Sequence, residues 1–210
     1  MKLLIKETCS VCKGKLKLMG NQRIAGHVYI CDDCKKKCSA DISRMGWASM
    51  SPEDAMAHIQ EHASDLELIR TTFRHTHSIR SKEKTIIAVD GDRGWWYIGN
   101  RKKPDIFYFN QVISYQAYCQ PDLLENGTLA RKVANSALDI LDSTGVYDKS
   151  ENRPMEIVVE LNHPYIQEIR IPLSDTYVET PNEVEDCQNL AQEILHMFDH
   201  FCYVFRTEDE

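Results

Sequence analysis

The chain has 210 residues, is 42% hydrophobic and 27% charged, and carries a net charge of −7, the profile of a folded protein with one ordinary core plus a small module that needs a staple. No apolar run approaches the roughly 18–20 residues of a membrane span, and the opening MKLLIKETC has only three consecutive apolar residues before a lysine, too few for the core of a secretory signal. A transmembrane segment and export by that route are excluded as expectations, and the chain reads as cytoplasmic.

Charge is unevenly spread: residues 1–50 hold ten Lys/Arg against four Asp/Glu, so a basic start precedes an acidic remainder. A basic module of this kind can meet nucleic acid, an acidic partner or the acidic body of its own chain, and charge alone does not choose.

The first motif is a pair of pairs. Cys9 and Cys12 stand as CSVC, Cys31 and Cys34 as CDDC, with eighteen residues between, the spacing of a four-thiolate zinc site. Four cysteines close the coordination shell, which makes the expected zinc a single structural ion, since a catalytic one keeps a position open for water. Cys38 falls one helical turn beyond Cys34 and reads as a bystander, with a ligand or redox role as the alternative. Cys119, Cys187 and Cys202 are scattered singly among apolar residues and read as small core residues of a reduced protein. His27 reads as a surface histidine.

Between the pairs, Leu16 and Leu18 alternate with lysines, Gly20-Asn21 offers a turn, and Val28 and Ile30 alternate again, which predicts a hairpin. CDDC then opens a short helix that Gly46 ends. Residues 1–48 thus read as a treble-clef or ribbon-type zinc finger. So short a segment buries too little apolar surface to hold itself together, and a structural zinc supplies an apparent stabilisation of about 10–16 kcal/mol.

Ser51-Pro52-Glu53-Asp54 is a helix start, with serine as N-cap, proline at the first position and acids in the first turn. A helix of about twelve residues is predicted, with a further turn near Leu66 to Ile69, and residues 49–72 read as a helical linker. Within it His58-Ile59-Gln60-Glu61-His62 spells H-x-x-E-H, a metallopeptidase pattern. A helix this short, without a third ligand, reads more simply as a polar face bearing two histidines. His75 and His77 follow on one face of a strand, where they could extend a metal cluster, though a solvated edge is the simpler reading.

From residue 73 the pattern becomes TIIAVD, GWWYIG, DIFYF, VISYQAY, MEIVVEL and YIQEIRI, short β-branched and aromatic runs that read as strands. Turn signals at Asp90-Gly91-Asp92, Gly99-Asn100, Asn162-His163-Pro164 and Pro172 favour antiparallel meanders. The firmest hairpin pairs Ile157, Val159 and Leu161 with the strand after His163-Pro164. LARKVANSALDIL predicts an inserted helix near 129–142. The last segment predicts a long amphipathic helix near 182–206, with Asn182 as N-cap and an apolar stripe of Val184, Cys187, Ala191, Ile194, Leu195, Phe198, Phe201, Cys202 and Phe205. The fold class is therefore α+β: the finger, the helical linker, and over 73–207 a pleckstrin-homology-like antiparallel β-sandwich capped by the C-terminal helix.

CSVCKGKLKLMG, YICDDCKKKCS, the run KTIIAVDGDRGWWYIGNRKKPDIFYFNQVISYQ and the terminal amphipathic helix together resemble a bacterial group, the domain of unknown function 4428 family. The resemblance implies a CxxC…CxxC finger followed by a pleckstrin-homology-like region. It implies metal and fold, and carries over no catalytic residue.

No phosphate-cradling loop, nucleophile elbow or dinucleotide fingerprint occurs. The expected function is that of a non-enzymatic zinc-binding adaptor acting through protein–protein contacts. The surfaces expected to serve it are the finger lysines Lys13, Lys15, Lys17, Lys35, Lys36 and Lys37, and the aromatic and basic group of Trp95, Trp96, Arg101, Lys102 and Lys103. Alternatives are nucleic-acid binding through the same finger lysines, anionic-lipid binding by the sandwich, which its acidic charge opposes, and a metallohydrolase built on His58, Glu61 and His62.

Overall fold

The computed structural model describes residues 8–81, 84–99, 101–118, 155–174 and 181–207. The helix expected near 129–142, and Cys119, lie outside these residues. The chain opens on a knuckle in which the Cys9 N–H donates to the Gly14 carbonyl at 2.7 Å and the Lys13 N–H to the Cys9 carbonyl at 2.9 Å. Lys13 takes a φ of 60° to close the turn, a conformation rare outside glycine.

Strands β1 (Gln22–Arg23) and β2 (Tyr29–Ile30) then pair antiparallel. The hairpin turn is at Ala25–His27, later than the expected Gly20-Asn21. Ile24 and Ile30 are buried on either side of this turn, while Leu18 is 99% exposed. Burial of the isoleucines therefore sets the register, and Gly26, at φ 71°, supplies the reversal.

Helix α1 (Asp32–Lys35) has Cys31 at its N-cap position and Cys34 in its one turn. A separate helix, α2 (Arg44–Ser49), follows, capped by the Ser43 hydroxyl accepting from the Gly46 N–H at 2.9 Å. Gly46 thus lies inside a helix instead of ending one. A Cβ there would stand 2.2 Å from the Tyr165 carbonyl oxygen, so glycine is what lets α2 approach the body of the chain.

Helix α3 (Pro52–Thr71) starts at the expected Ser51 N-cap, which forms a capping box with Asp54, and runs unbroken for 20 residues. With no glycine or proline after its first position, nothing stops it at twelve. Its last turns lay Leu68 and Ile69 on a small apolar cluster of Phe73, Ala88 and Ile106, beside Trp95 and Tyr97.

Two antiparallel sheets follow, each in chain order. The first joins β3 (His77–Ser81), β4 (Lys84–Asp90), β5 (Trp95–Ile98) and β6 (Phe107–Tyr108); the second joins β7 (Val112–Tyr118), β8 (Glu156–Leu161) and β9 (Glu168–Pro172). The β8–β9 hairpin has the expected partners, with Ile157 opposite Ile171 and Val159 opposite Ile169. Strand β3 reads HSIRS and buries only Ile79, so it lacks the apolar run that marks the others.

Helix α4 (Pro181–Thr207) closes the chain over 27 residues, and Asn182 lies inside it. Its stripe is as expected: Val184, Cys187, Ala191, Ile194, Phe198 and Cys202 are buried, with Leu195, Phe201 and Phe205 against the core. Phe198 joins the two sheets, its ring 5.1 Å from Trp96 of β5 and 5.2 Å from Tyr115 of β7. Among the described residues no helix is long and apolar enough to cross a membrane.

Gly46→Ala should cost about 1–3 kcal/mol, the range for overpacking a close contact, because the contact it meets is backbone. The midpoint of urea unfolding checks this.

Candidate metal centre and its docking on the sheets

Knuckle and helix α1 bring four sulfurs together. Cys9 Sγ lies 3.8 Å from Cys34 Sγ and Cys12 Sγ 3.7 Å from Cys31 Sγ, and all four fall within 4.8 Å of one another. A tetrahedral ion with bonds of about 2.3 Å to sulfur separates its ligands by about 3.8 Å. A disulfide needs about 2.05 Å, and these cysteines are free. The four side chains stand close enough to hold one metal ion, and their spacing fits zinc.

The protein also prepares the ligands. Burial alone would raise the Cys9 thiol, but the backbone N–H groups of Cys12, Cys31 and Val11 around its sulfur outweigh that and bring it down to about 6. Cys31 and Cys34 are raised, chiefly by burial, so metal must displace their protons. Cys38 stays apart: its Sγ points to the Cys34 carbonyl at 3.6 Å, and burial pushes its thiol up to about 11. His27 is exposed and its ring meets the Arg23 guanidinium.

Immediately beyond this centre lies a buried polar network. Ser39, His58, His62 and Asp105 are each at most 5% exposed. The Ser39 hydroxyl donates to Asp105 Oδ2 at 2.7 Å, and the His62 Nδ1–H to Asp105 Oδ1 at 2.7 Å. The Ser39 N–H donates to His58 Nε2 at 3.3 Å, while the Ser39 hydroxyl also accepts from the Asp41 N–H at 3.0 Å. Asp65 accepts from the Ile106 N–H at 3.1 Å. One cluster thus joins the tail of the finger, helix α3 and the loop before β6.

Here the H-x-x-E-H motif departs from expectation. Its histidines are buried, so the polar-face reading is corrected: each imidazole has a hydrogen-bond partner across the interface. Nor do the two converge on a metal, since the rings lie nearly parallel with centroids 6.5 Å apart, and the Glu61 side chain is 65% exposed, 3.9 Å from His58. The acid that meets His62 is Asp105, with Asp65 beside it; these three are a second group within 4.8 Å. Sequence reasoning missed Asp105 because it lies 43 residues from His62. The only local signal was a lone acid after three basic residues and a proline.

Other expected surface residues divide. Arg101 is not a free cation: it is paired with Asp41 of the finger and donates to the Arg170 carbonyl at 3.3 Å. Trp96 is fully buried, because alternation in β5 points it at the core while Trp95 and Tyr97 face α3. Trp95 is half-buried, under the Arg93 guanidinium at 5.4 Å. His75 lies against Phe73 and Tyr97. Lys13 donates to the Ser10 carbonyl at 2.8 Å, Lys17 stands 3.7 Å from Asp33, and Lys36 2.5 Å from Asp32. Lys15, Lys35, Lys37 and Lys102 are exposed. Lys103 Nζ reaches the Lys36 carbonyl at 3.3 Å across 67 residues of sequence, so Lys35, Lys36 and Lys37 of the finger adjoin Lys102 and Lys103 of the body.

Residues 7–62 match the sequence model of a family described as a domain of unknown function (DUF4428). The match runs through the four cysteines and ends at His62, so that domain takes in the first half of α3. None of the curated proteins and none of the solved structures matches the chain.

Two histidines in this region have acceptor nitrogens held by backbone. His58 Nε2 takes the Ser39 N–H, and His163 Nδ1 takes the N–H groups of Tyr165 and Ile166 at 3.2 and 2.9 Å. Protonation breaks these bonds. Around them stand Glu61, His62, Asp105 and Tyr165, and burial still dominates, lowering both histidines below 6.5. Their contribution to stability is complete above 6.5 and is lost as pH falls through the folded value. Asp65 has the opposite sign: burial, then the Asp105 and Glu61 carboxylates, raise it from 3.8 to about 6, so its contribution is full below 3.8 and lost as pH rises through about 6. Asp65→Asn should raise the thermal midpoint at pH 7.5, with the gain shrinking towards pH 5, and so steepen the acid loss. Thermal unfolding across that range checks both signs.

Proposed function

We propose that the four cysteines hold one structural zinc ion and that the chain is a cytoplasmic, non-enzymatic interaction protein, its sheets and α4 forming a pleckstrin-homology-like sandwich. The observation that supports this most is the use made of the polar residues. Ser39, His58, His62 and Asp105 bond to one another and fix the finger on the body. What that fixation leaves outward is a composite basic face, Lys35, Lys36 and Lys37 beside Lys102 and Lys103.

Five cations on two modules joined by these bonds form a surface for an acidic partner. The partner we propose is a protein. The same lysines favour a second reading, nucleic acid, whose phosphates would meet them without sequence preference.

Metal analysis should give a single zinc per chain, and Cys9→Ser/Cys12→Ser should abolish both the metal and the fold of the finger. Capture experiments then compare the intact chain with K35E/K37E/K102E/K103E: a protein enriched by the former and lost with the latter supports the adaptor reading. Salt-dependent retention of DNA or RNA, weakened by the same substitutions, would move the assignment to nucleic acid. Equal capture by both chains would sink the basic face.

A further inference from the structure

A second set of metal-binding side chains lies between β3 and α4. Glu193, His196 and His200 recur in α4 at steps of three and four residues, so they stand one above the other on a single stripe. All three are exposed, while Ile194, Met197 and Phe198 between them are buried. Across from the stripe, β3 contributes His77. These four side chains line one groove of about 570 Å³ floored by Met197 and Phe201. The Phe201 ring ties the two walls, with its centroid 6.4 Å from His77 and 4.9 Å from His200.

Polar groups nearby are otherwise engaged. The Thr76 hydroxyl, on the same groove, accepts from the Gly91 N–H at 2.7 Å and donates to the Val89 carbonyl at 3.2 Å. The three imidazoles and Glu193, by contrast, have no hydrogen-bond or ion-pair partner among the described residues. Three imidazoles and one carboxylate lining one groove suit a cation better than an anion, which Glu193 would repel. Nitrogen-rich donor sets select zinc, nickel or copper over magnesium or calcium.

We propose that His77, His196 and His200, with Glu193, form a surface site for a divalent transition-metal ion, separate from the four-cysteine centre. The four side chains stand wider apart than the clustered cysteines. His196 and His200, exposed and one helical turn apart on α4, supply the nearest pair of donors, and the exposed His77 and Glu193 have rotamers with which to turn toward an ion held there. Such an ion joins β3 to α4 and ties the closing helix to the first sheet.

The test uses the untagged full-length chain, its cysteine site loaded with zinc, titrated with nickel chloride in a calorimeter. Saturable binding of a single equivalent is expected, weakened at least about tenfold by H196A/H200A and measurably by H77A, by analogy with the cost of disturbing a metal's surroundings. Nickel should also raise the thermal midpoint of the intact chain and not that of H196A/H200A. Because both histidines are exposed, that variant keeps its midpoint without nickel, which confirms its fold. Absence of saturable binding overturns the site, as does binding that H196A/H200A leaves intact. Full affinity in H77A overturns the part assigned to β3. Loss of binding on Asp65→Asn alone would place the ion at His62, Asp65 and Asp105, and overturns it as well.

Discussion

The arrangement of this chain turns on one buried carboxylate. Asp105 is 5% exposed, and a polar group so placed is tolerated only when its oxygens are hydrogen-bonded. Its partners come from the finger tail and from α3, so satisfying Asp105 fixes both against the loop that leads into β6. Removing either partner would leave one oxygen of a buried carboxyl without its hydrogen bond, so this one group orients three segments that also meet through apolar contacts. Arg101 and Asp41 form a second, more exposed tie between the same parts.

The finger depends on two supports of different kinds. A four-thiolate centre brings Cys9, Cys12, Cys31 and Cys34 together without needing a core. Yet those cysteines, with Ile24, Ile30, Ile42 and Trp47, belong to the same apolar cluster as Trp96, Ile157 and Phe198 of the sheets and closing helix. Burial against the body is therefore a support for the finger that needs no metal. The network around Asp105 adds orientation, because hydrogen bonds are directional and apolar contact is not.

Much of this was legible because it is local. Cysteine spacing announced the four-cysteine cluster, Ser51-Pro52-Glu53-Asp54 announced the start of α3, and three- and four-residue periodicity announced α4 together with the residues it buries. Alternating aromatics announced β5 and β6, though not which of Trp95 and Trp96 faces inward; that depends on register against β4, where Trp96 stands opposite Val89. What stayed hidden is what sequence distance conceals. Arg101 looks like a free cation until Asp41 is placed beside it, and His58 and His62 look solvated until Ser39 and Asp105 arrive. Strand β3 has one buried residue in five, too little pattern to see. The hairpin turn was misplaced because Gly20 and Gly26 both carry positive φ, and only burial of Ile24 and Ile30 decides between them.

Metal and docking are coupled by chain connectivity. Ser39 follows Cys34 by five residues, through α1 and a turn held by the bonds from the Lys37 N–H to the Cys34 carbonyl and from the Cys38 N–H to the Lys35 carbonyl. Whatever orders Cys34 in a metal shell therefore also places Ser39, and with it one hydrogen bond to His58 and one to Asp105. A ligand that binds only the ordered form stabilises everything that form entails, and such coupling is reciprocal. A metal ion held by the cysteines would therefore strengthen the seating of the finger, and a well-seated finger would in turn raise the affinity for that ion. On the proposed reading, a metal at the four cysteines would govern how firmly Ser39 is seated on His58 and Asp105, and with it the attitude of Lys35, Lys36 and Lys37 to Lys102 and Lys103.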